Sequence, residues 1–514
     1  MNPVILRGDV TAQEIVRISR GAPVAVDPAA EARVAANRAV LEGIVAHGTP
    51  IYGITTGFGA LVTERVAPEF HRRLQVNLLR SHACGTGEPL GSDVVRGAMA
   101  VRLNGLLRGH SGVRPVVLGR VAALLNCGWV PVVPRTGSLG ASGDLAPSAH
   151  AFLPLIGEGS VRGPGGEVAS GARALEALGL EPLVLEAKEG LALINGTHFM
   201  AAIGALATVR VRALLDAVDV VAAASVDALR GATPAFDPRV HELRGLEGQV
   251  HSARNIRAAL AGSHRTHDRG SARLQDAYSL RCAAQVHGAA REAFAFFART
   301  VALDLNAVTD NPLVLEDPPE VISAGNFHGQ ALALAFDTLR LALADLGTIS
   351  ERRTFRLLSP STNGALPAFL SPQAGASSGY MIVQYASAAL VSELRALAHP
   401  VSADSIPTSD NQEDHVSMGM TGALMTLDAI PRLERIVGYE LLCACQAIDC
   451  DPGAPGALVR AAHAAVRARV APLIEDRPPA DDLAALLGLV EDGTLAALLA
   501  GAGPGLPGDT ERTA

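Results

Sequence analysis

The feature that most constrains this chain is helical periodicity: apolar residues recur at three-to-four-residue spacing over residues 197–230, 274–304, 325–358, 376–398 and 411–449. Segments of that length outrun the helices of ordinary small domains and predict a bundle of long helices. A kink is expected at Pro431, which removes a backbone donor inside the last segment. Shorter helices are signalled nearer the start, where Thr11 and Glu14 form a capping box and Asp27 precedes Pro28. Aromatic residues are only 4% of the chain while Ala and Leu abound, which favours helix over sheet. Strand-like stretches are short: VPVVP at 130–134, LVLE at 183–186 and LVLEDPPEVIS at 313–323. The expected fold class is therefore mainly α, a long central helical bundle with a loop-rich N-terminal portion and few short peripheral strands.

No Ser/Gly linker or repeat divides the sequence. One continuous body is expected, with an N-terminal portion over residues 1–200, a long-helix portion over 201–500 and a frayed tail over 501–514. The stretch ALALAFDTLRLALADLG at 331–347 is apolar beyond a single stripe, which implies packing on more than one side and predicts a homo-oligomer.

Several function classes fall away on charge and composition. A net charge of -8 without a basic block gives no surface for tracking phosphates, so nucleic acid is not an expected partner. The start, MNPVILRGDV, lacks a charged segment followed by a long apolar one, and no uncharged apolar run of about 18 residues occurs. A soluble, cytoplasmic protein with no membrane partner is the expectation. The six cysteines, at 84, 127, 282, 443, 445 and 450, are too sparse for a disulfide framework. Cys443, Cys445 and Cys450 scatter around one helix without a second ligand cluster, so buried thiols and no metal are expected.

Familiar catalytic motifs fail on inspection. Gly140-Ala141-Ser142-Gly143-Asp144 approaches the G-x-S-x-G nucleophile elbow, but Asp144 stands at the last glycine and no clear strand precedes it. Gly137, Gly140 and Gly143 are spaced three apart, unlike the dinucleotide fingerprint. HELRG at 241–245 starts like a zinc-protease helix but has Gly245 in place of the second histidine. The single lysine, Lys188, has no phosphate-binding loop beside it and reads as structural or ion-paired.

Ala141-Ser142-Gly143 does suit one chemistry. In a tight bend, the Gly143 nitrogen can attack the Ala141 carbonyl carbon and close a five-membered ring, with no Cβ at glycine to obstruct it. Loss of water from the ring and from the Ser142 side chain leaves an exocyclic methylene, an electrophile that ordinary side chains do not offer. The alternative is a small-residue turn that leads into a helix capped by Asp144.

At this point GSLGASGDLAPSAH, residues 137–150, resembles the segment of the histidine and phenylalanine ammonia-lyase family that forms 4-methylidene-imidazol-5-one (MIO). Further blocks carry the resemblance: YGITTGFG at 52–59, NLLRSHACGTGEPL at 77–90, EGLALINGT at 189–197, QDAYSLRC at 275–282, TDNPL at 309–313, GNFHG at 325–329 and NQEDHVSMG at 411–419. It spans about residue 5 to about residue 500 and implies a helical body assembled as a homotetramer with active sites shared between subunits. It further implies that Ala141, Ser142 and Gly143 are the MIO precursor, assisted by Asp144, and that no external cofactor is needed. Tyr52 would be the base that takes the substrate's β-proton. A phenol with an ordinary pKa of about 10 then needs a helix N-terminus or a cation to stabilise its phenolate. Gln275, Tyr278 and Arg281, at i, i+3 and i+6, would share one helical face. Arg281 would grip the substrate carboxylate, with Tyr278 and Asn195 completing the polar contacts and Phe327 packing on the substrate or prosthetic group.

Within the family, His82 and Glu413 would face the substrate ring, where an imidazole needs partners for its two nitrogens. Phenylalanine-acting members resemble this chain less, with an apolar pair at the first site and glutamine at the second; tyrosine-acting members keep the histidine but have glutamine. The pattern implies elimination of ammonia from L-histidine to trans-urocanate. A tyrosine ammonia-lyase or an aromatic aminomutase of the same family is the alternative, and a non-catalytic helical scaffold has no use for Tyr52, Ser142 and Arg281. SELRAL at 392–397 departs from the histidine-acting pattern at Leu394 and Arg395, which reads as a helix-packing change.

Overall fold

The computed structural model describes residues 2–47, 50–268, 274–373 and 375–501, so the tail expected at 501–514 lies outside them apart from Gly501. The chain is mainly α. Its longest helices are His198–Ala228, Ala283–Leu305, Gln330–Leu358 and Gly419–Cys450, joined by Met381–Leu397. Among the described residues, the strands make four small sheets of two or three strands each.

The chain divides into two compact units. The first takes the sequence up to Val209 with Phe297–Asp337 and Pro400–Met425; the second takes Arg210–Phe296, Thr338–His399 and the chain from Thr426 onward.

In the first unit, Val4–Leu6 pairs in parallel with Val24–Val26, and helix Ala12–Ser19 between them is capped by the predicted Thr11–Glu14 box. Asp27 caps Pro28–Ala46, again as predicted. Helix Ser92–Leu106 is buried from Val94 through Leu106, on every face. Its Arg96 is matched by the Ile18 and Leu125 carbonyls, and its Asn104 by the Leu305 carbonyl. Strand Thr86–Pro89 pairs antiparallel with Pro134–Thr136, which brings the segment after His82 beside the loop that holds Ser142. The predicted Lys188 ion pair is formed: its ammonium meets Asp310 at 2.8 Å, and both side chains are fully buried.

In the second unit the long helices are tied by a buried polar network. Arg353 pairs with Glu440 at 2.5 Å, and Glu440 also accepts from Ser225 and Ser350. Asp219 accepts from His287 and Arg291, and the Arg291 charge with these hydrogen bonds holds its carboxyl far below the usual range against the cost of burial. Leu394 is buried against this helical packing, where a Cβ added to Gly347 would meet its Cδ1 at 2.7 Å, whereas Arg395 is exposed. His241 of the HELRG stretch is a core histidine, bonded to the Ala235 carbonyl and Gln249. Cys443 and Cys445 are buried free thiols pushed upward by burial, and no metal-ligand cluster occurs among the described residues.

Several helix starts move inward from the periodicity. The last long helix begins at Gly419 rather than 411, because Ser409, Asp410, Asn411 and Met418 take left-handed backbone angles. Its Pro431 lies within one continuous helix. Residues 325–329 form a turn before Gln330, closed by the His328 amide on the Gly325 carbonyl. LVLE at 183–186 is not a strand: the Glu186 amide donates to the Glu189 side chain and the Leu183 amide to the Leu155 carbonyl. By length and apolarity, no single described helix could cross a membrane, although the bent pair Pro479–Glu491 and Thr494–Ala500 passes that test together.

Candidate active site

The loop between strand Pro134–Thr136 and helix Leu145–Phe152 is forced into a bend. Gly140, Ser142 and Gly143 have φ of 85°, 49° and 82°, and the Gly143 amide donates to the Gly140 carbonyl at 3.2 Å. A left-handed serine carries strain of about 1 kcal/mol or more. At Gly143 a Cβ would overlap the Gly196 backbone, which leaves no room for a side chain, and at Gly140 it would meet the Ser417 hydroxyl at a left-handed φ that disfavours one. The Met418 amide also donates to the Leu139 carbonyl at 2.9 Å and anchors the loop from the other side.

Residues 195–200 grip the bend. Asn195 Nδ2 and the Gly196 amide donate to the Ser142 carbonyl at 3.1 and 3.3 Å, while the Asp144 amide donates to the Gly196 carbonyl at 2.8 Å. Asp144 was expected to cap the helix that follows it, yet its carboxylate makes no cap there. Its Oδ2 accepts instead from the Phe199 and Met200 amides at 2.8 and 3.0 Å, in the first turn of His198–Ala228. Its Oδ1 is buried without a hydrogen-bond partner, as is Asn195 Oδ1. Burial pushes the Asp144 carboxyl up to about 7, the two amides pull it back, and Asp304 adds to the rise.

Glu413 links the bend to the remaining polar groups. Its Oε1 accepts from the Ser142 hydroxyl at 3.1 Å and its Oε2 from Thr408 at 2.6 Å, across a backbone bridge between residues 408 and 413. Tyr52 lies in the turn-rich segment 51–58, and its hydroxyl accepts from the Gly59 amide at 3.0 Å. Burial raises this phenol above its ordinary value, the Gly59 amide lowers it, and the Glu413 charge raises it. The Gly59 amide opens the single-turn 3-10 helix Gly59–Leu61, so the donor at the phenol is the first amide of a short helix. His82 ends helix His71–His82, with Nδ1 3.0 Å from the Ser81 hydroxyl. Burial lowers its pKa, opposed by the Leu78 carbonyl and the Glu413 charge, so the ring is neutral near pH 7.

The structure therefore brings Tyr52, His82, Ser142, Asn195 and Glu413 together, joined by bonds or by charge. Phe327 is half-buried in the turn before Gln330, and the adjacent His328 stacks on His415 at 5.8 Å. In the second unit, Gln275 and Tyr278 are exposed, and the Arg281 guanidinium lies 4.6 Å over the Tyr278 ring with its Nε unpartnered. These three do not share a helical face: Tyr278–Arg281 is a single turn, and Gln275 precedes it outside any helix. Asp276 explains the break, since its carboxylate accepts from the Ala232 amide at 2.7 Å and holds the approach out of helix.

Sequence reasoning missed Thr408, Ser417 and Met200. A Cβ at Gly329 would come within 2.6 Å of Met200, and one at Gly419 would overlap its sulfur, so GNFHG and NQEDHVSMG end in glycines that meet at one methionine. Those paired terminal glycines were the available signal.

The family model for aromatic amino acid lyases matches residues 10–468. Histidine ammonia-lyase of Symbiobacterium thermophilum is 50% identical over 507 residues, covering 98% of this chain and 100% of that protein. The crystal structure of histidine ammonia-lyase from Trypanosoma cruzi is 39% identical with a TM-score of 0.90, covering 98% of this chain and 96% of that one. That of tyrosine aminomutase from Streptomyces globisporus is 36% identical with a TM-score of 0.93, covering 97% and 99%. With a matched family model across most of its length and a relative half identical from end to end, the chain belongs to the aromatic amino acid lyase family.

Proposed function

We propose that this protein eliminates ammonia from L-histidine to give trans-urocanate, using MIO formed from its own Ala141, Ser142 and Gly143. The observation that carries the reading is the bend itself. Ser142 is held at φ 49°, Gly143 is pressed where only glycine fits, and the Ser142 hydroxyl points to a carboxylate that the histidine-acting pattern requires. A buried, unpartnered Asp144 oxygen directly after the triplet fits a site built around a group that replaces part of this backbone. MIO would supply an electrophile for the substrate amine or for its ring, and either attachment would ease the loss of ammonia.

The side chains divide the remaining work. Tyr52 takes the β-proton, with the Gly59 amide placed to stabilise its phenolate. Arg281, with a free Nε, offers a forked grip for the substrate carboxylate. Asn195, Tyr278 and Gln275 supply polar contacts, and Phe327 supplies an apolar one. Neutral His82 and charged Glu413 pair with the two nitrogens of an imidazole, which a phenyl ring would leave unsatisfied.

The proposal includes a homotetramer with shared active sites in the cytoplasm. Leu341, Ile382 and Tyr385 support assembly, being 54%, 58% and 60% exposed on long helices of the single chain. The likeness to tyrosine aminomutase keeps one second reading in view, an aminomutase or tyrosine ammonia-lyase.

The test is to incubate purified protein with histidine, tyrosine and phenylalanine and to follow conjugated-acid absorbance, with chromatography for β-amino acids. Histidine is expected to react and the others to lag far behind. Inert histidine beside reactive tyrosine overturns the substrate assignment, and a β-amino acid product identifies an aminomutase. Intact mass is expected to lie two waters below the encoded chain, and Ser142→Ala to keep its full mass and lose turnover.

A further inference from the structure

The clamp on Ser142 and Asp144 is itself held in place. Residues 195–200 deliver the Asn195 and Gly196 donors to the Ser142 carbonyl and the Phe199 and Met200 amides to Asp144. At the centre of that segment Gly196 has φ +129°, and a Cβ there would overlap the Thr309 hydroxyl. The next residue, Thr197, is buried. Its hydroxyl donates to Asp304 Oδ1 at 2.5 Å, and its amide donates to the Thr309 hydroxyl at 3.4 Å. Asp304 sits in the last turn of helix Ala283–Leu305, so the clamp is anchored to a long helix more than 100 residues away in sequence.

We propose that Thr197 and Asp304 are positioning residues for maturation of the Ala141-Ser142-Gly143 triplet, an inference that rests on the prosthetic group proposed above. Maturation forms a bond between the Gly143 nitrogen and the Ala141 carbonyl carbon. The Ala141 oxygen leaves with the amide hydrogens of Ser142 and Gly143 as one water. The Ser142 hydroxyl leaves with the Cα hydrogen as the second, and no oxidant is consumed. Two donors on the Ser142 carbonyl fix the peptide plane whose nitrogen is the nucleophile, so any slack in residues 195–197 is transmitted to the attacking atom. Ring closure is sensitive to such slack in the approach of its reacting atoms.

The experiment follows intact mass over time in freshly synthesised chain, with helical circular dichroism recorded alongside. Thr197→Val keeps the shape and removes the hydroxyl; Asp304→Ala removes its acceptor. Each is expected to slow appearance of the doubly dehydrated mass about tenfold, in line with a displacement well under 1 Å. The double variant is expected to be no slower than the slower single one, since both remove one contact. Thr197→Ser, which keeps the hydroxyl, is expected to restore the parent rate and serves as the control for a purely structural loss. Parent-like maturation in both Thr197→Val and Asp304→Ala overturns the inference while leaving the prosthetic group intact. A parent chain that never loses two waters overturns the prosthetic group and the inference with it.

Discussion

The Ser142 hydroxyl and Glu413 Oε1 are 3.1 Å apart although 271 residues separate them in sequence. The same carboxylate accepts from Thr408 and raises the proton affinity of both Tyr52 and His82, so one charge stands between the triplet, the proposed base and the proposed imidazole reader. Maturation as proposed removes the Ser142 hydroxyl, and Oε1 then becomes available to a substrate nitrogen.

Glu413→Gln tests that assignment. The amide keeps an acceptor for Thr408 but removes the charge, and a hydrogen bond to a charged partner is worth about 1.5–3 kcal/mol. Histidine kcat/KM is expected to fall roughly 10- to 100-fold, the same energy expressed as a rate, with any tyrosine activity changed far less. Equal losses on both substrates would show that Glu413 does not read the imidazole.

Tyr52→Phe is expected to lower turnover roughly 10²- to 10⁴-fold, the range for removing a general base. Intact mass should remain two waters below the encoded chain, since Tyr52 makes no bond to the triplet in the structure. Because burial lifts this phenol above its ordinary value, the phenolate grows in only as pH rises. Parent kcat/KM should therefore climb from neutral into alkaline solution, and a profile flat above pH 7 would remove Tyr52 from the role.

How far these relations were legible depends on distance along the chain. Periodicity found the long helices, because a buried stripe is written every three to four residues. It placed the start at 411 instead of Gly419, because the left-handed angles of Ser409, Asp410 and Asn411 arise in residues of ordinary polar type. Asp144 shows the same limit. Its residue type marked a cap, and the nearest helix was the natural client, yet the amides it serves are 55 and 56 positions away. Resemblance named Ser142 and Glu413 as site residues, but their contact required the fold.

Asp144 also predicts a pH dependence of stability. Its carboxyl is raised from 3.8 to about 7 in the folded chain, so the native state holds this proton more tightly than the unfolded one. Stability from this group is complete below about pH 4 and is lost as pH rises through about 7, by at most about 4 kcal/mol. Asp144→Asn cannot titrate, and the denaturation midpoint of that variant should fall less between pH 4 and 7 than that of its parent. Both chains should carry Ser142→Ala, so that maturation does not enter the comparison. Parallel slopes would mean that Asp144 is ionised throughout.

The single lysine offers a test of the fold apart from chemistry. Lys188 is fully buried at φ 78°, its ammonium 2.8 Å from Asp310, and Arg102 reaches the same oxygen at 3.5 Å. Removing one partner of a buried pair leaves the other charge uncompensated, at about 3–5 kcal/mol. Arg102 remains as a second cation, so Lys188→Met is expected near the lower end, about 3 kcal/mol, read as a lower denaturant midpoint at unchanged slope. Adding Asp310→Asn removes the stranded charge and should recover part of that loss. If the double variant is instead less stable by the sum of the two single losses, Lys188 and Asp310 act independently and the buried pair is not what holds this part of the first unit.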